Sequence, residues 1–335
     1  MTPQAMHVLE PGFLTTVQDL GRPLGEPLGA PAGGAMDRLA LMAANALVGN
    51  PVGAAALEFA LSGPALQVGY SPECGVLVAA AGRGFKLEVG GRSIPLWMAA
   101  WARCGETITL HGEGGGWGYL AISGGIDVPE VLGSRSTCLS RGSERGLRAG
   151  FGGLEGRALQ PGDSLPIGPS TGDYDLAGRE VPDDLRPAYS DHPLLDVVLG
   201  PQQDAFTPGA VESLLNEEYT LTPACDRMGY RLSGPALVRH SQGPAQGSGT
   251  SEMLSEGVAF GAVQVPQDGQ PIVLMADRQT TGGYPKIAVV SGASLPLLAQ
   301  CSFDAGTGSV RFKAVSVAEA QEKWRRMRWM INSIG

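Results

Sequence analysis

The stretch that decides the fold is residues 252–290, EMLSEGVAFGAVQVPQDGQPIVLMADRQTTGGYPKIAVV. Its two apolar runs, residues 272–276 and 287–290, are short and rich in β-branched side chains, which predicts two buried strands. The connection between them, residues 277–286, is far longer than the two-residue loop of a tight hairpin. It carries a carboxylate, a guanidinium, an amide, hydroxyls and a lysine, and this density of different polar groups favours a functional site over a solvated loop.

The pair Gly282-Gly283 in this connection predicts a turn with positive φ, because glycine enters the left-handed region without steric cost. Successive backbone N–H groups in such a turn can bind an anion. We expect the turn to bring Lys286 back beside Asp277. The predicted small-anion site is lined by Asp277, Gln279, Thr281 and Lys286, together with Glu256 and Arg227.

The composition of the whole chain predicts an acidic, β-rich globular protein. A chain of 335 residues is long for one hydrophobic core, so two domains are expected. The 50 glycines and 25 prolines, without a collagen period, predict many turns and short strands. A net charge of −9 argues against a nucleic-acid partner. No apolar run approaches the roughly 18 residues of a membrane span, and the first residues lack a signal pattern, so we expect a cytoplasmic protein without membrane contact.

The cysteines and histidines predict neither a disulfide framework nor a metal site. The five cysteines are scattered along the chain and form no C-x-x-C pair. The four histidines are far apart in sequence, and none has ligand spacing with another. We therefore expect no resident metal ion.

The sequence pattern divides the chain into two β-rich halves. Residues 76–122 contain short strand patterns separated by glycine turns, which favours a barrel or a sandwich. Residues 169–193 are polar and proline-rich, which predicts a linker. The hexamer LSGPAL occurs at 61–66 and at 232–237, each time before further strand-like residues, which favours two related domains. We predict an N-terminal domain over residues 1–180 and a C-terminal domain over residues 181–335 that ends in a helix.

Two helices have recognisable ends in the sequence. Asp37 precedes a periodic apolar run and is placed to cap it. Gly49 lies where the end of that helix needs a left-handed residue. In the C-terminal helix, Ser316 and Glu319 have the spacing of a capping box.

Long motifs of this chain resemble those of one known family: LTTVQDLGRP at 14–23, GAMDRLALMAANALVGNP at 34–51, YLAISGGIDVPEVLGSRST at 119–137, CDRMGYRLSGP at 225–235 and residues 255–290. The family comprises the C subunit of bacterial 5-oxoprolinase, KipA-type antagonists of kinase inhibitors, and part of the carboxyltransferase domain of urea carboxylase and urea amidolyase. It is also called allophanate hydrolase subunit 2. The resemblance covers nearly the whole chain and implies a mainly β fold with a few helices, built as two tandem cyclophilin-like β-barrel domains. One departure is Glu26, which follows Gly25 where family members often have an aromatic residue.

The first function implied by this resemblance is one component of an ATP-dependent 5-oxoprolinase, a hydrolase that opens the cyclic amide of 5-oxoproline to give glutamate. No G-x-x-x-x-G-K-[ST] motif is present, so ATP would be shared with, or bound by, a partner subunit. The implied partner is a subunit-B-like (Kip-inhibitor-like) protein, with a lactam-utilisation protein as a further candidate. The chain alone would then be inactive.

This chemistry needs cations and N–H donors around a developing oxyanion. We predict Asp277, Lys286 and Glu256 as the catalytic residues, with Asp277 or Glu256 as base or orienting group. The predicted substrate-binding residues are Arg227, Arg278, Gln279, Thr281, Gly282, Gly283 and Gln264.

Two other functions remain open for a chain of this kind. One is carboxyl transfer from carboxybiotin to a urea-like acceptor. The lysines lack the Ala-Met-Lys-Met context of biotin attachment, so biotin would be carried by another protein. The other is a non-enzymatic antagonist that binds a kinase-inhibitor partner. The mixed polar groups of residues 277–286 favour small-molecule chemistry over binding alone.

Overall fold

The computed structural model describes residues 4–70, 75–139, 150–170, 174–240, 253–302 and 307–334. The chain forms two compact units. The N-terminal unit contains Met1–Leu24, Gly33–Pro187 and Arg328–Gly335, and the C-terminal unit contains Gly25–Ala32 and Ala188–Met327. The domain boundary between residues 180 and 181 stays a prediction.

Two antiparallel sheets form the N-terminal unit. The strands are β1 Ala5–Glu10, β2 Phe13–Gln18, β3 Ala56–Ala60, β4 Ala65–Val68, β5 Gly75–Gly82, β6 Phe85–Val89, β7 Arg92–Ile94, β8 Ala99–Arg103, β9 Thr107–Gly112, β10 Trp117–Ile122 and β11 Ser164–Pro166. One sheet has the order β11-β1-β4-β9-β6-β7, and the other has the order β2-β3-β10-β5-β8. Alternate side chains of both sheets, such as Leu66 and Val68 in one and Leu57 and Phe59 in the other, share one hydrophobic core.

Helix α1, Arg38–Leu47, packs against β5 and β10. Its predicted cap is confirmed, since the Asp37 carboxylate accepts a hydrogen bond from the Ala40 N–H at 3.0 Å. The predicted left-handed residue is also confirmed, because Gly49 has φ +74°. The backbone N–H of Asp37 donates to the Tyr119 hydroxyl at 2.7 Å, and that hydroxyl donates to Glu58 at 2.7 Å. Burial raises the pKa of Tyr119 well above its usual value.

The C-terminal unit contains a closed barrel with the order β12-β19-β16-β17-β14-β13-β20. Its strands are β12 Leu194–Leu199, β13 Tyr219–Leu221, β14 Gly229–Ser233, β16 Ala262–Gln264, β17 Ile272–Leu274, β19 Lys286–Val290 and β20 Ser309–Ala314. A separate two-stranded sheet joins β15 Glu256–Gly257 to β18 Thr281–Gly282. The remaining α-helices of the described residues are α2 Pro208–Asn216, α3 Leu295–Ala299 and α4 Val317–Ile334. Short 3-10 helices lie at Pro23–Leu28, Tyr174–Leu176, Asp183–Leu185 and Gln203–Ala205. The capping box of α4 is confirmed, because Ser316 and Glu319 each accept the other's backbone N–H.

The two strands predicted within 252–290 are both present as β17 and β19, although β17 ends at Leu274, two residues earlier than expected. They are not neighbours, because β16 pairs with both of them and lies between. The long connection 277–286 therefore passes from one side of β16 to the other instead of closing a hairpin. The predicted mainly β fold with a few helices is confirmed.

The repeated hexamer has a different structure in each unit. At 61–66 it forms the turn between β3 and β4. At 232–237 it closes β14, and the described residues that follow make only an isolated bridge between Arg239 and Phe206. After the second copy, residues 238–240 form no strand and residues 241–252 lie outside the described residues, so the two related domains stay a prediction.

Candidate functional site

The candidate site lies in the C-terminal unit, where the short sheet β15–β18 folds the connection 277–286 back on the chain. Glu256 is the strand partner of Gly282, and the Val258 N–H donates to the Thr280 carbonyl at 3.2 Å. The Met253 N–H donates to the Gly283 carbonyl at 2.8 Å. These backbone bonds give the polar residues of the connection fixed positions.

The two glycines do not form the predicted turn, because neither has a positive φ. Gly282 lies in extended backbone of β18. Its missing side chain matters for space instead, since a Cβ built there would lie 2.6 Å from Nε2 of Gln264 and 3.3 Å from Cγ1 of Val258. Gly282 therefore allows the backbone to approach the Gln264 amide closely.

Arg227 and Asp277 form a buried ion pair. The guanidinium donates from Nε to Oδ2 at 2.8 Å and from Nη2 to Oδ1 at 2.9 Å. The two side chains are 4% and 12% exposed. The Asp277 N–H also donates to the Arg227 carbonyl at 2.7 Å, so backbone and side chain fix the pair together. A bidentate pair of this kind fixes orientation as well as charge.

Lys286 and Glu256 form a second ion pair, closer to solvent. The Lys286 side chain is 8% exposed and the Glu256 side chain is 46% exposed. The same Glu256 oxygen also accepts from the Gln202 amide, while Oε1 of Gln202 accepts from the Lys286 N–H at 3.0 Å. The hydrogen bond from Lys286 holds the pKa of Glu256 below its usual value, with Gln202 adding to the effect. Lys286 and Asp277 thus pair with different residues, and their predicted proximity stays a prediction.

Arg278 forms a third ion pair with Glu26, a residue of the Gly25–Ala32 segment of the same unit. Nε of Arg278 donates to the Val258 carbonyl at 3.0 Å, and the guanidinium carbon lies 5.8 Å from the centre of the Phe260 ring. Burial lowers the pKa of Arg278, and the Glu26 carboxylate opposes this effect.

Gln264 lies at the end of β16 and is 2% exposed. Its Oε1 accepts from the Gln279 amide at 3.3 Å. Among the residues that the structure describes, Nε2 of Gln264 and Nη1 of Arg278 are buried donors with no hydrogen-bond partner. Buried donors without partners are uncommon in folded proteins and point to a ligand or an ordered water.

Most predicted site residues thus lie in the connection 277–286 or contact one of its residues. The structure joins Arg227 to Asp277, Lys286 to Glu256, and Gln279 to Gln264, while Thr281 is exposed beside Gly257 in the small sheet. Sequence reasoning missed Gln202, which no local pattern marks, and it missed Glu26 as the partner of Arg278. Within the described residues, no group of three His, Cys, Asp or Glu side chains is placed to hold a metal ion. The glycine-serine stretch 243–252 lies outside the described residues.

The model of the family described as "Carboxyltransferase domain, subdomain A and B" matches residues 28–314, and the chain belongs to this family. The chain is 35% identical over 323 residues to the 5-oxoprolinase C subunit of Haemophilus influenzae, covering 95% of this chain and 94% of that relative. Among solved structures, K. lactis urea amidolyase superposes with a TM-score of 0.85 at 27% identity, over 100% of this chain and 20% of that one. The crystal structure of TTHA0988 superposes with a TM-score of 0.76 at 33% identity, over 93% of this chain and 56% of that one. The chain therefore spans about half of TTHA0988 and a fifth of the urea amidolyase.

The described helices include none that combines the length and the apolar character needed to cross a membrane.

Proposed function

We propose that this chain is the C subunit of a cytoplasmic, multi-protein, ATP-dependent 5-oxoprolinase, and that its C-terminal unit binds the amide carbonyl of 5-oxoproline. The observation that carries the proposal is the pair of buried donors without partners, Nε2 of Gln264 and Nη1 of Arg278. Similarity to a 5-oxoprolinase C subunit over nearly the full length of both chains supports the choice of substrate.

Two N–H donors suit the chemistry of amide hydrolysis. We propose that both donors face one carbonyl oxygen, whose two lone pairs can accept both hydrogen bonds. In an ATP-dependent reaction the amide oxygen would take the γ-phosphoryl group of ATP while ADP leaves. Water then adds to the activated carbon, and fixed donors bind the negative charge that develops on its oxygens more strongly than they bind the neutral carbonyl. Cleavage of the C–N bond next requires a proton on the ring nitrogen, which leaves as the amine of glutamate, and a second water releases phosphate from the acyl phosphate that remains. Donors at the oxygen therefore stabilise the step at which negative charge develops.

The charge balance of the site favours the neutral amide end of 5-oxoproline over an anion, so the carboxylate that 5-oxoproline also carries would lie away from these residues. Each of the three cations is paired with one carboxylate: Arg227 with Asp277, Lys286 with Glu256, and Arg278 with Glu26. A small anion would have to displace one of these carboxylates or remain uncompensated. The proposal therefore replaces the small-anion site with a carbonyl site.

The three catalytic candidates differ in how freely they can act. Asp277 is held by both nitrogens of the Arg227 fork, so we assign it to positioning. Glu256 stays ionised because Lys286 lowers its pKa, so we assign it to orienting Lys286. The carboxylate that pairs with Lys286, Glu256, is half-exposed, which places this ion pair nearest to solvent. We therefore propose Lys286 as the cation that faces the reacting group.

The ion-paired cations of this site do not favour ATP binding there. A triphosphate needs unbalanced cations or a cradle of N–H groups, whereas each cation of this site already has a carboxylate partner. We propose that ATP is bound by, or shared with, a subunit-B-like (Kip-inhibitor-like) partner. A lactam-utilisation protein is a further candidate partner.

Carboxyl transfer is the second candidate function. It is favoured by the family match and by the TM-score of 0.85 with a urea amidolyase. A urea carbonyl would also accept hydrogen bonds from the two donors, and biotin would then be carried by another protein.

One reconstitution experiment separates the two functions. The purified chain, alone and with its candidate partners, is supplied either with ATP and 5-oxoproline or with carboxybiotin and urea. The proposal predicts ATP-dependent glutamate formation by the complex and little by the lone chain. Carboxylated urea without glutamate would establish the alternative, and full glutamate formation by the lone chain would refute the need for a partner.

A further inference from the structure

Glu26 lies far from the site in sequence but belongs to the C-terminal unit, because the Gly25–Ala32 segment packs with residues 188–327. Glu26 lies in a short 3-10 helix, Pro23–Leu28. The Gly29 N–H donates to the Glu26 carbonyl at 2.9 Å, and the Ala30 N–H donates to the Gly25 carbonyl at 3.1 Å. Gly29, directly after this helix, has φ +78°, a conformation that other residues rarely adopt. The Glu26 carboxylate is thus presented on a short, hydrogen-bonded helix.

Two of the three guanidinium nitrogens of Arg278 have hydrogen-bond partners; the third, Nη1, is called the open donor below because it has none among the described residues. Nε donates to the Val258 carbonyl, and Nη2 pairs with the Glu26 carboxylate. Nη1 is buried and has no partner among the described residues. The Arg278 side chain is 6% exposed and that of Glu26 is 34% exposed, so water can reach the carboxylate better than the guanidinium. A buried guanidinium needs a compensating carboxylate, and Glu26 supplies it.

We propose that Glu26 determines specificity by excluding carboxylates from Arg278, which reserves the open donor for a neutral amide carbonyl. The identity of that amide as a lactam rests on the proposed function. A ligand carboxylate approaching Arg278 would meet the negative charge of Glu26 and would compete with it for the same cation. A carbonyl oxygen carries no net charge and needs only the open Nη1–H.

Binding measurements on the purified full chain test this role with two probes: acetate and 2-pyrrolidinone. In Glu26→Gln, acetate should bind about tenfold more tightly than in the unaltered chain, which corresponds to about 1.4 kcal/mol. Binding of neutral 2-pyrrolidinone should change less than about twofold, since its affinity does not depend on the charge at this position. The double variant Glu26→Gln/Arg278→Met should lose the gain in acetate binding.

A matched control removes the same charge elsewhere in the unit. Glu212 is exposed on α2, and Glu212→Gln should leave acetate binding unchanged. If Glu26→Gln does not fold, competition in the unaltered chain decides the question, because acetate should then fail to displace 2-pyrrolidinone.

Unchanged acetate affinity in Glu26→Gln, or displacement of 2-pyrrolidinone by acetate in the unaltered chain, would overturn the proposal whatever the enzymatic activity. A gain in acetate binding with no lactam binding would support the role of Glu26 and would count against the proposed substrate. Failure of the proposed role of Glu26 and failure of the proposed substrate therefore give different binding results.

Discussion

Replacing Lys286 with Met removes one charge from the candidate site and leaves most of the packing intact. The Lys286 side chain is 8% exposed, and its stem lies in barrel strand β19. Methionine fills similar space and carries no charge. The partner Glu256 is 46% exposed and can be hydrated when it loses the ammonium group. We therefore expect a stability loss within the range of near-surface ion pairs, about 0–1 kcal/mol.

For a unit of this size, that loss corresponds to a fall of no more than about 4 °C in melting temperature. Activity should respond much more strongly, because the ammonium group is proposed to face the reacting group. A fall of at least about tenfold in kcat/KM corresponds to ~1.4 kcal/mol of transition-state stabilisation.

The assay is glutamate formation by the reconstituted complex, with thermal unfolding of the isolated chain measured in parallel. Lys313→Met is the matched control, since Lys313 is exposed on β20 of the same unit, and it should change neither quantity. Full activity in Lys286→Met would refute the reasoning, as would a loss of activity that merely follows a large loss of stability.

Three further substitutions test other parts of the account. Arg227→Met should cost about 3–5 kcal/mol in urea unfolding, because it leaves the buried Asp277 carboxylate unpaired; a loss below about 1 kcal/mol would contradict the importance of this pair. In the N-terminal unit, hydrogen bonds from Arg157 lower the pKa of Asp163. The pair therefore stabilises the folded state fully above the unfolded-state pKa of about 3.9. This stabilisation is lost as pH falls through the lower folded-state pKa. Asp163→Asn should therefore weaken the dependence of unfolding free energy on pH below about 4. An unchanged pH dependence would show that the Arg157–Asp163 pair does not stabilise the fold in this way. Gly282→Ala places a Cβ 2.6 Å from Nε2 of Gln264. It should reduce activity about tenfold with little change in melting temperature. Retained activity would show that the close approach of Gly282 to Gln264 is unimportant.

The sequence predicts well what depends on local pattern. The cap at Asp37, the left-handed Gly49 and the capping box at Ser316 all follow from side-chain chemistry within a few residues. The strands at 272–276 and 287–290 follow from short β-branched runs and are present as β17 and β19.

Long-range pairing limits the rest of the prediction. No local signal places β16 between β17 and β19, and so the connection 277–286 could not be recognised as a crossover. The partner of Arg278 is 252 positions away in sequence, and only the packing of Gly25–Ala32 in the C-terminal unit brings it near. The predicted positive φ at Gly282 failed for a related reason, since its strand partner Glu256 holds it in extended backbone.

The most direct test of the central claim is kcat/KM for 5-oxoproline in a reconstituted complex that carries Gln264→Met. This substitution removes one of the two buried donors and keeps the side chain's length, so a loss of one strong hydrogen bond in the transition state predicts a fall of at least about tenfold. Gln321→Met, on an exposed position of α4, is the matched control and should keep full activity. Equal kcat/KM in Gln264→Met and in the unaltered complex would contradict the assignment of this site to the amide carbonyl.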